Sequence, residues 1–126
     1  MIEFEVAMKY LNAGLSALPA DRTKKCPCVK WKEWQTRLPT PDEERAWFAN
    51  KPDAICIVCG KVSGNLEVLD FDNHGELFSK WKESIPTELL AKLVMEQTPS
   101  GGYHVAYRCS DEVCGNIKLA QGVRND

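Results

Sequence analysis

Hydrophobic positions recur along this chain with two different periods, and the change of period separates predicted helices from predicted strands. Near the start, Phe4, Ala7, Met8 and Leu11 follow the spacing i, i+3, i+4, i+7 of one helix face. Gly14 follows where a helix favours a left-handed residue after its last turn. The pattern therefore predicts an amphipathic helix that ends just before Gly14.

The rest of the chain alternates between short apolar runs and helical patterns. Thr40, Pro41 and Glu43 form a capping-box start for one helix. A long loop is predicted over residues 19–39, and the turn "GKVSGN" joins two of the strands. The predicted strands are "LSALPA", residues 54–59, residues 66–71 and a hairpin of "VMEQT" and "YHVAYRC" around "PSGG"; the further predicted helices are "TPDEERAWFAN", "GELFSKWKESI" and "PTELLAKLV".

This order of elements predicts an α+β fold, in which a mixed, largely antiparallel sheet is flanked by helices. The length of 126 residues predicts one domain over residues 1–126. The chain is 44% hydrophobic and 27% charged, with a formal net charge of −2. That balance gives no general attraction to nucleic acid, so such binding would require a local basic patch. With no signal peptide and no apolar run long enough to cross a bilayer, we expect a cytoplasmic protein without a membrane partner.

Six cysteines raise the question of a zinc site. Cys56 and Cys59 have the spacing of a zinc knuckle, which Cys26 and Cys28 would complete. The alternative is that "AICIVCG" is a buried strand whose free thiols act as small hydrophobes. Residues three apart on a strand point to opposite faces, so we favour the strand and expect no zinc.

Two acidic residues end a predicted strand that is otherwise apolar. Alternate strand residues share a face, so Asp70 and Asp72 are predicted to project together, on the side of Leu66 and Val68. Such a pair suits Mg²⁺ or Mn²⁺, which bind a few carboxylates together with substrate phosphate oxygens. The alternative is a solvated connection between a strand and a helix, with Asp72 or Asn73 as a helix cap.

The predicted hairpin offers groups that complement a phosphate. Alternation places Tyr103 and Val105 on a core-facing side, and His104 and Arg108 on the other. An imidazole and a guanidinium both donate hydrogen bonds to phosphate oxygens. In the turn, Ser100 and the amides of the following two glycines, Gly101 and Gly102, are further candidate donors. The alternative is that this face of the sheet is simply exposed to solvent and binds no ligand.

A basic segment, residues 22–37, carries six Lys and Arg residues with Trp31 and Trp34 among them. Such a segment could hold a nucleic-acid backbone and stack a base. Alternatively, the two tryptophans fill the core and the lysines are solvated.

Together these stretches resemble a known family. The segments "KYLNAGLSALPA", "VKWKEWQTRLPT", "WFANKPDAICIVCGKVSGNLEVLDFD" and "TPSGGYHVAYR" are similar to the N-terminal primase-polymerase domain of the archaeo-eukaryotic primase superfamily. The bifunctional DNA primase/polymerase type, found in phages, plasmids and integrated elements, is the nearest in pattern. The resemblance spans roughly Tyr10 to Arg108.

The resemblance implies template-directed nucleotidyl transfer from nucleoside triphosphates, with single-stranded DNA template and primer as partners and a helicase domain or protein beside it. It implies that Asp70 and Asp72 bind two Mg²⁺ or Mn²⁺ ions and that His104, with Ser100, contacts the triphosphate. By the same resemblance, Lys25 and Lys32 lie near the nucleotide or the template.

The family's third motif, a hydrophobic residue followed by a metal-binding acid, has no good match between Cys109 and Asp126. We therefore expect an N-terminal piece of a longer protein, poorly active or inactive alone. Two alternatives remain: a non-catalytic nucleotide- or nucleic-acid-binding module of the same fold, and a nucleotide-sugar glycosyltransferase, which also uses D-x-D. The latter lacks a visible nucleotide-binding half before the acids.

Overall fold

The structure is a computed structural model in which residues 1–72 and 76–111 are described. Its helices are α1 (Phe4–Asn12), α2 (Pro41–Phe48), α3 (Phe78–Ser84) and α4 (Thr87–Leu90), with short 3₁₀ turns at Lys32–Gln35 and Lys61–Ser63. Its strands are β1 (Ser16–Asp21), β2 (Cys26–Pro27), β3 (Ala54–Val58), β4 (Leu66–Phe71), β5 (Val94–Gln97) and β6 (Tyr103–Arg108). The predicted α+β class is confirmed. Within the described ranges, no helix has the length and apolar character needed to cross a membrane.

The chain divides into two compact units, one built from residues 1–65 and one from residues 66–109. Each holds its own three-stranded antiparallel sheet, in the order β2-β1-β3 and β4-β6-β5. The expectation of one mixed sheet is therefore wrong in detail. The strands β3 and β4, which the sequence joins by a turn, belong to different sheets.

In the first unit, β1 is the buried centre of the sheet. Ser16, Ala17 and Leu18 are fully buried, and both α1 and α2 contact this strand. Helix α1 ends as expected, because the amide of Leu15 donates to the carbonyl oxygen of Tyr10 at 3.0 Å while Gly14 has φ 82°. The predicted first helix is thus confirmed together with its stop.

The turn after β3 is held by the side chain of Ser63, which is fully buried. Its hydroxyl donates to the carbonyl oxygen of Val58 at 2.5 Å and accepts from the amide of Ser16 at 2.9 Å. Ser16 in turn donates to the carbonyl oxygen of Trp34 at 2.9 Å. These bonds satisfy buried polar groups and fix the end of β3 against the start of β1.

Residues 19–39 contain more structure than the predicted loop. Asp21 pairs with Cys26 in a short hairpin between β1 and β2, and a 3₁₀ turn follows. Of the cysteines predicted to be buried, Cys56 is half-buried in β3, and burial raises the pKa of its thiol. Cys59 lies beyond the strand end and is exposed, so that part of the prediction is wrong.

The predicted capping box of α2 is confirmed. The hydroxyl of Thr40 accepts from the amide of Glu43 at 3.2 Å, and the Glu43 carboxylate accepts from the amide of Thr40 at 2.9 Å. Arg37 adds a two-pronged contact to Glu43, at 2.9 and 3.0 Å, and lowers the pKa of that carboxyl to about 2.

Glu44, also in α2, is fully buried, and neither of its carboxylate oxygens has a hydrogen-bond partner among the described residues. Burial, and then the charge of Glu43, raise its pKa from 4.5 to about 7. The folded state therefore keeps a proton that the unfolded state loses. The free energy of unfolding should fall as pH rises from about 4.5 to about 7 and stay level above that.

We expect Glu44→Gln to remove this pH dependence and to raise the free energy of unfolding at pH 8 by about 3 kcal/mol. Urea unfolding of both proteins between pH 4.5 and 8.5 measures the difference. Glu88→Gln, an exposed substitution of the same kind, is the control. Parallel curves for Glu44→Gln and the unaltered chain would contradict the expectation.

In the second unit, β6 is the central strand and one face of the sheet carries an aromatic core. The ring of Phe78 on α3 stacks on Tyr103 with centroids 4.0 Å apart and meets Phe71 edge-on at 5.4 Å. Trp81 joins this cluster, and Val105 beneath it is fully buried. On the same face, Tyr107 donates a hydrogen bond to Glu67, its partner across the ladder; burial, and then Glu67, raise the pKa of Tyr107. The predicted core face of the hairpin is confirmed.

Candidate functional site

The strand register brings an acid and an imidazole together on the face of the second sheet opposite the aromatic core. Asp70 in β4 is paired directly with His104 in β6. The Nε2 atom of His104 lies 3.3 Å from Oδ1 of Asp70, and the two side chains are 49% and 56% exposed. An ion pair that is this exposed contributes at most about 1 kcal/mol to stability. The contact between Asp70 and His104 therefore does little to stabilise the fold.

The same register adds a carboxylate that sequence reasoning missed. Glu96 in β5 is the cross-strand partner of His104 on its other side, so Asp70, His104 and Glu96 form one row across the sheet. Directly paired residues have Cβ atoms about 5 Å apart. The hairpin around "PSGG" already contained this signal, because counting outward from the turn places Glu96 opposite His104.

Asp72, unlike Asp70, does not lie within strand β4. The strand β4 ends at Phe71, so the alternation that was expected to align the two acids stops one residue short of Asp72. Asp72 is exposed and follows directly on the strand end. Its role as a second metal ligand stays a prediction.

A row of small apolar side chains borders the polar row on the same face. Val68, Ala106 and Val94 are paired across β4, β6 and β5, and Val94 is 60% exposed. Beyond this row lies Arg108, paired with Leu66 and exposed. Arg108 is four positions further along β6 than His104, a distance of about 13 Å.

The turn that precedes β6 holds Ser100, Gly101 and Gly102. Ser100 is exposed, and its hydroxyl lies 3.1 Å from that of Thr98. The amide of Gly101 donates to the carbonyl oxygen of Thr98 at 3.0 Å, so this predicted phosphate donor is engaged within the turn. Gly102 is buried, and a Cβ atom there would lie 2.2 Å from the carbonyl oxygen of Phe71. Its lack of a side chain allows β6 to begin against the end of β4.

The predicted basic residues Lys25 and Lys32 are both exposed and lie in the first unit. Lys25 closes the β1–β2 turn with φ 54°, and Lys32 begins a 3₁₀ turn. Of the two tryptophans in this segment, Trp34 is 6% exposed and Trp31 is 46% exposed. The alternative that the tryptophans fill the core is confirmed for Trp34 alone, and Trp31 is exposed.

The carboxylates of the second unit suit a divalent metal ion that is coordinated partly by the protein and partly by a substrate. Asp70 and Asp72 supply hard oxygen atoms at the exposed end of a strand, and magnesium sites often use one or two carboxylates with substrate phosphates. A cage made wholly of protein is not formed, since within residues 1–72 and 76–111 no three His, Cys, Asp or Glu side chains are grouped closely enough.

A comparison with known families decides the assignment. Residues 7–125 match the family described as "Bifunctional DNA primase/polymerase, N-terminal", Prim-Pol. The chain belongs to the Prim-Pol family. The match covers nearly all of the 126 residues and confirms the resemblance seen in the sequence. Comparison with curated proteins gives no match.

Membership in the Prim-Pol family indicates a function of the DNA primase/polymerase type, suggests nucleotidyltransferase activity, and implies nucleotide and DNA binding. The family generally uses divalent metal ions. The glycosyltransferase alternative has no support from the match. Most of the segment in which the sequence offers no good match to the third motif, residues 112–126, lies outside the described residues.

Proposed function

We propose that this chain binds a nucleoside triphosphate with Mg²⁺ or Mn²⁺ on the exposed face of its second sheet and transfers the nucleotide to a primer in template-directed DNA synthesis. In the reaction, a 3′-hydroxyl oxygen bonds to the α-phosphorus, the bond to the bridging oxygen breaks, and pyrophosphate leaves. The hydroxyl proton passes to solvent. The single observation that carries the proposal is the Asp70–His104 contact at 3.3 Å on that exposed face.

The pair supports this proposal because each partner suits a different part of one ligand. Asp70 and Asp72 would hold the metal ion, which supplies neutralisation of the charge that develops on the phosphate oxygens. His104 would donate to the triphosphate and keep it oriented. Asp70 and His104 contact each other, so a metal ion bound to Asp70 would free the imidazole for a phosphate.

The neighbouring groups are assigned by their places around this row. Ser100 would donate from the turn, and Arg108 would reach only the distal end of a long ligand. Gly101 would donate its amide only after its bond to Thr98 opens. Lys25 and Lys32, in the first unit, would contact the nucleotide or template. A cytoplasmic location, a helicase partner and a phage or plasmid source remain predictions of the sequence and the resemblance.

Titration calorimetry with a deoxynucleoside triphosphate tests the proposal. We expect binding in the presence of Mn²⁺, competition by pyrophosphate and no binding after addition of EDTA. Equal affinity with and without the metal would overturn the proposed site. A labelled primer–template pair then tests turnover. Metal-dependent binding without nucleotide incorporation would favour the non-catalytic module.

A further inference from the structure

The basic segment of the first unit separates into two parts that differ in the state of their cations. Arg37, in the second part, is bound to Glu33 at 2.7 Å and to Glu43 at 2.9 Å. Its guanidinium also lies 4.3 Å from the centre of the Trp34 ring. These partners occupy Arg37 and raise its pKa, so the second part of the segment is structural.

The first part, residues 22–32, is a patch of cations. It contains five Lys and Arg residues and no acid, in a chain whose net charge is −2. All five are exposed, and in the described part of the chain none forms an ion pair with a carboxylate. The five are Arg22, Lys24, Lys25, Lys30 and Lys32.

Two nearby carboxylates accept hydrogen bonds from backbone amides of this patch. Asp21 accepts from the amide of Lys24 at 2.9 Å, and Asp53 accepts from the amide of Arg22 at 2.9 Å. The amide of Lys25 donates to the carbonyl oxygen of Asp21 at 2.8 Å. The two carboxylates thus fix the turn between β1 and β2, and the basic side chains extend from a defined backbone.

An exposed aromatic ring lies within this patch. Trp31 is 46% exposed, stands between Lys30 and Lys32, and makes no ring contact with another aromatic or cationic side chain among the described residues. Trp34, three residues later, is buried and packs edge-on against Trp47 at 4.8 Å. Large aromatic side chains are usually packed, so an exposed one between two cations calls for a ligand with a flat face and negative charge.

We infer that residues 22–32 form a binding surface for single-stranded nucleic acid, in which Trp31 stacks on an unpaired base and the five cations follow the phosphate backbone. Stacking on aromatic side chains combined with basic tracking of the backbone is the usual mode for single strands. The inference deepens the proposed function, since a template-directed enzyme must hold a strand, but it requires neither metal nor turnover.

Binding of a fluorescein-labelled 15-nucleotide oligothymidylate, followed by anisotropy in EDTA without nucleotide, tests the inference. We expect Trp31→Ala to weaken binding about tenfold or more, whereas Trp31→Phe retains most of the affinity. In the unaltered protein, the oligonucleotide should quench tryptophan fluorescence, and Trp31→Phe should remove most of that quenching. A duplex of equal length should compete poorly, because its bases are already stacked.

The charges are tested by the salt dependence. Lys30→Gln with Lys32→Gln should reduce the slope of log affinity against log salt by about 1.4, or 0.7 per lysine. Lys80→Gln with Lys92→Gln makes the same charge change in the second unit and should leave the slope unaltered. Equal losses in both pairs, or full binding by Trp31→Ala, would overturn the inference.

The two proposals fail separately. If the unaltered protein does not bind the triphosphate, the proposed function is wrong. If Asp70→Ala still binds the oligonucleotide in that case, the proposed nucleic-acid surface is still supported. Metal-dependent triphosphate binding without any oligonucleotide binding would support the proposed function and contradict the nucleic-acid surface. Thermal unfolding of each variant shows whether the exposed substitutions leave the fold intact.

Discussion

Asp70→Asn should lower the metal-dependent affinity for a nucleoside triphosphate by about 100-fold or more while the protein remains folded. The substitution keeps the size of the side chain and removes the charge that a divalent cation needs. Loss of groups that merely orient metal ligands already costs 10- to 100-fold, so loss of a direct ligand should reach at least the upper end. Calorimetric titration with Mn²⁺ and a deoxynucleoside triphosphate measures the change.

Stability distinguishes this functional role from a structural one. The Asp70–His104 pair is about half exposed on both sides, so its removal should change the free energy of unfolding by less than about 1 kcal/mol. Glu83→Gln, an exposed acid of the same unit, is the matched control and should leave binding unaltered. A variant of Asp70 that binds the metal and triphosphate as tightly as the unaltered chain would remove the basis of the proposed site.

Gly102→Ala should destabilise the second unit, and by more than Gly101→Ala does. The added Cβ atom would lie 2.2 Å from the carbonyl oxygen of Phe71, a backbone atom that cannot swing away as a flexible side chain would, and 3.2 Å from Oγ1 of Thr98. Overpacking of this kind costs about 2–3 kcal/mol. Because Phe71 directly precedes Asp72, the shift should also reduce triphosphate binding. Urea unfolding and the same calorimetric titration measure both effects.

Gly101→Ala provides the comparison for Gly102. Gly101 has φ 88°, so alanine there carries a conformational cost of about 1–2 kcal/mol without the backbone collision. We expect the smaller loss of stability at Gly101. If Gly102→Ala unfolds at the same urea concentration as the unaltered protein, the close approach of β6 to β4 is not a constraint on the fold.

The sequence predicts an element well when its signals are local. The bounds of β4, the two faces of β6, the Gly14 stop and the Thr40 capping box all follow from spacing within a few residues. The pairing of Asp70 with His104 could be anticipated as a shared face. The direct register, and with it the position of Glu96, follows once the hairpin turn is fixed.

Other features depend on contacts that the local pattern does not contain. The strands β3 and β4 lie in different sheets, and the turn that follows β3 is held by Ser63, which is bonded to Ser16, 47 positions away in the chain. Trp31 and Trp34 lie three residues apart in the same basic segment, and the packing of Trp34 against Trp47, a contact distant in sequence, distinguishes them. The buried carboxylate of Glu44 carries no sequence signal either, since charged neighbours surround it in α2.

The central position of β6 means that the two ends of the candidate site differ in rigidity. The amides and carbonyls of this strand are bonded on both sides, by β4 and by β5, so the backbone that carries His104 opens only when most of the sheet opens. Asp72 lies beyond the last residue of an outer strand and has no such restraint. In ligand capture, the histidine would act as the fixed reference point, and the second acid would adjust to the ion after it arrives.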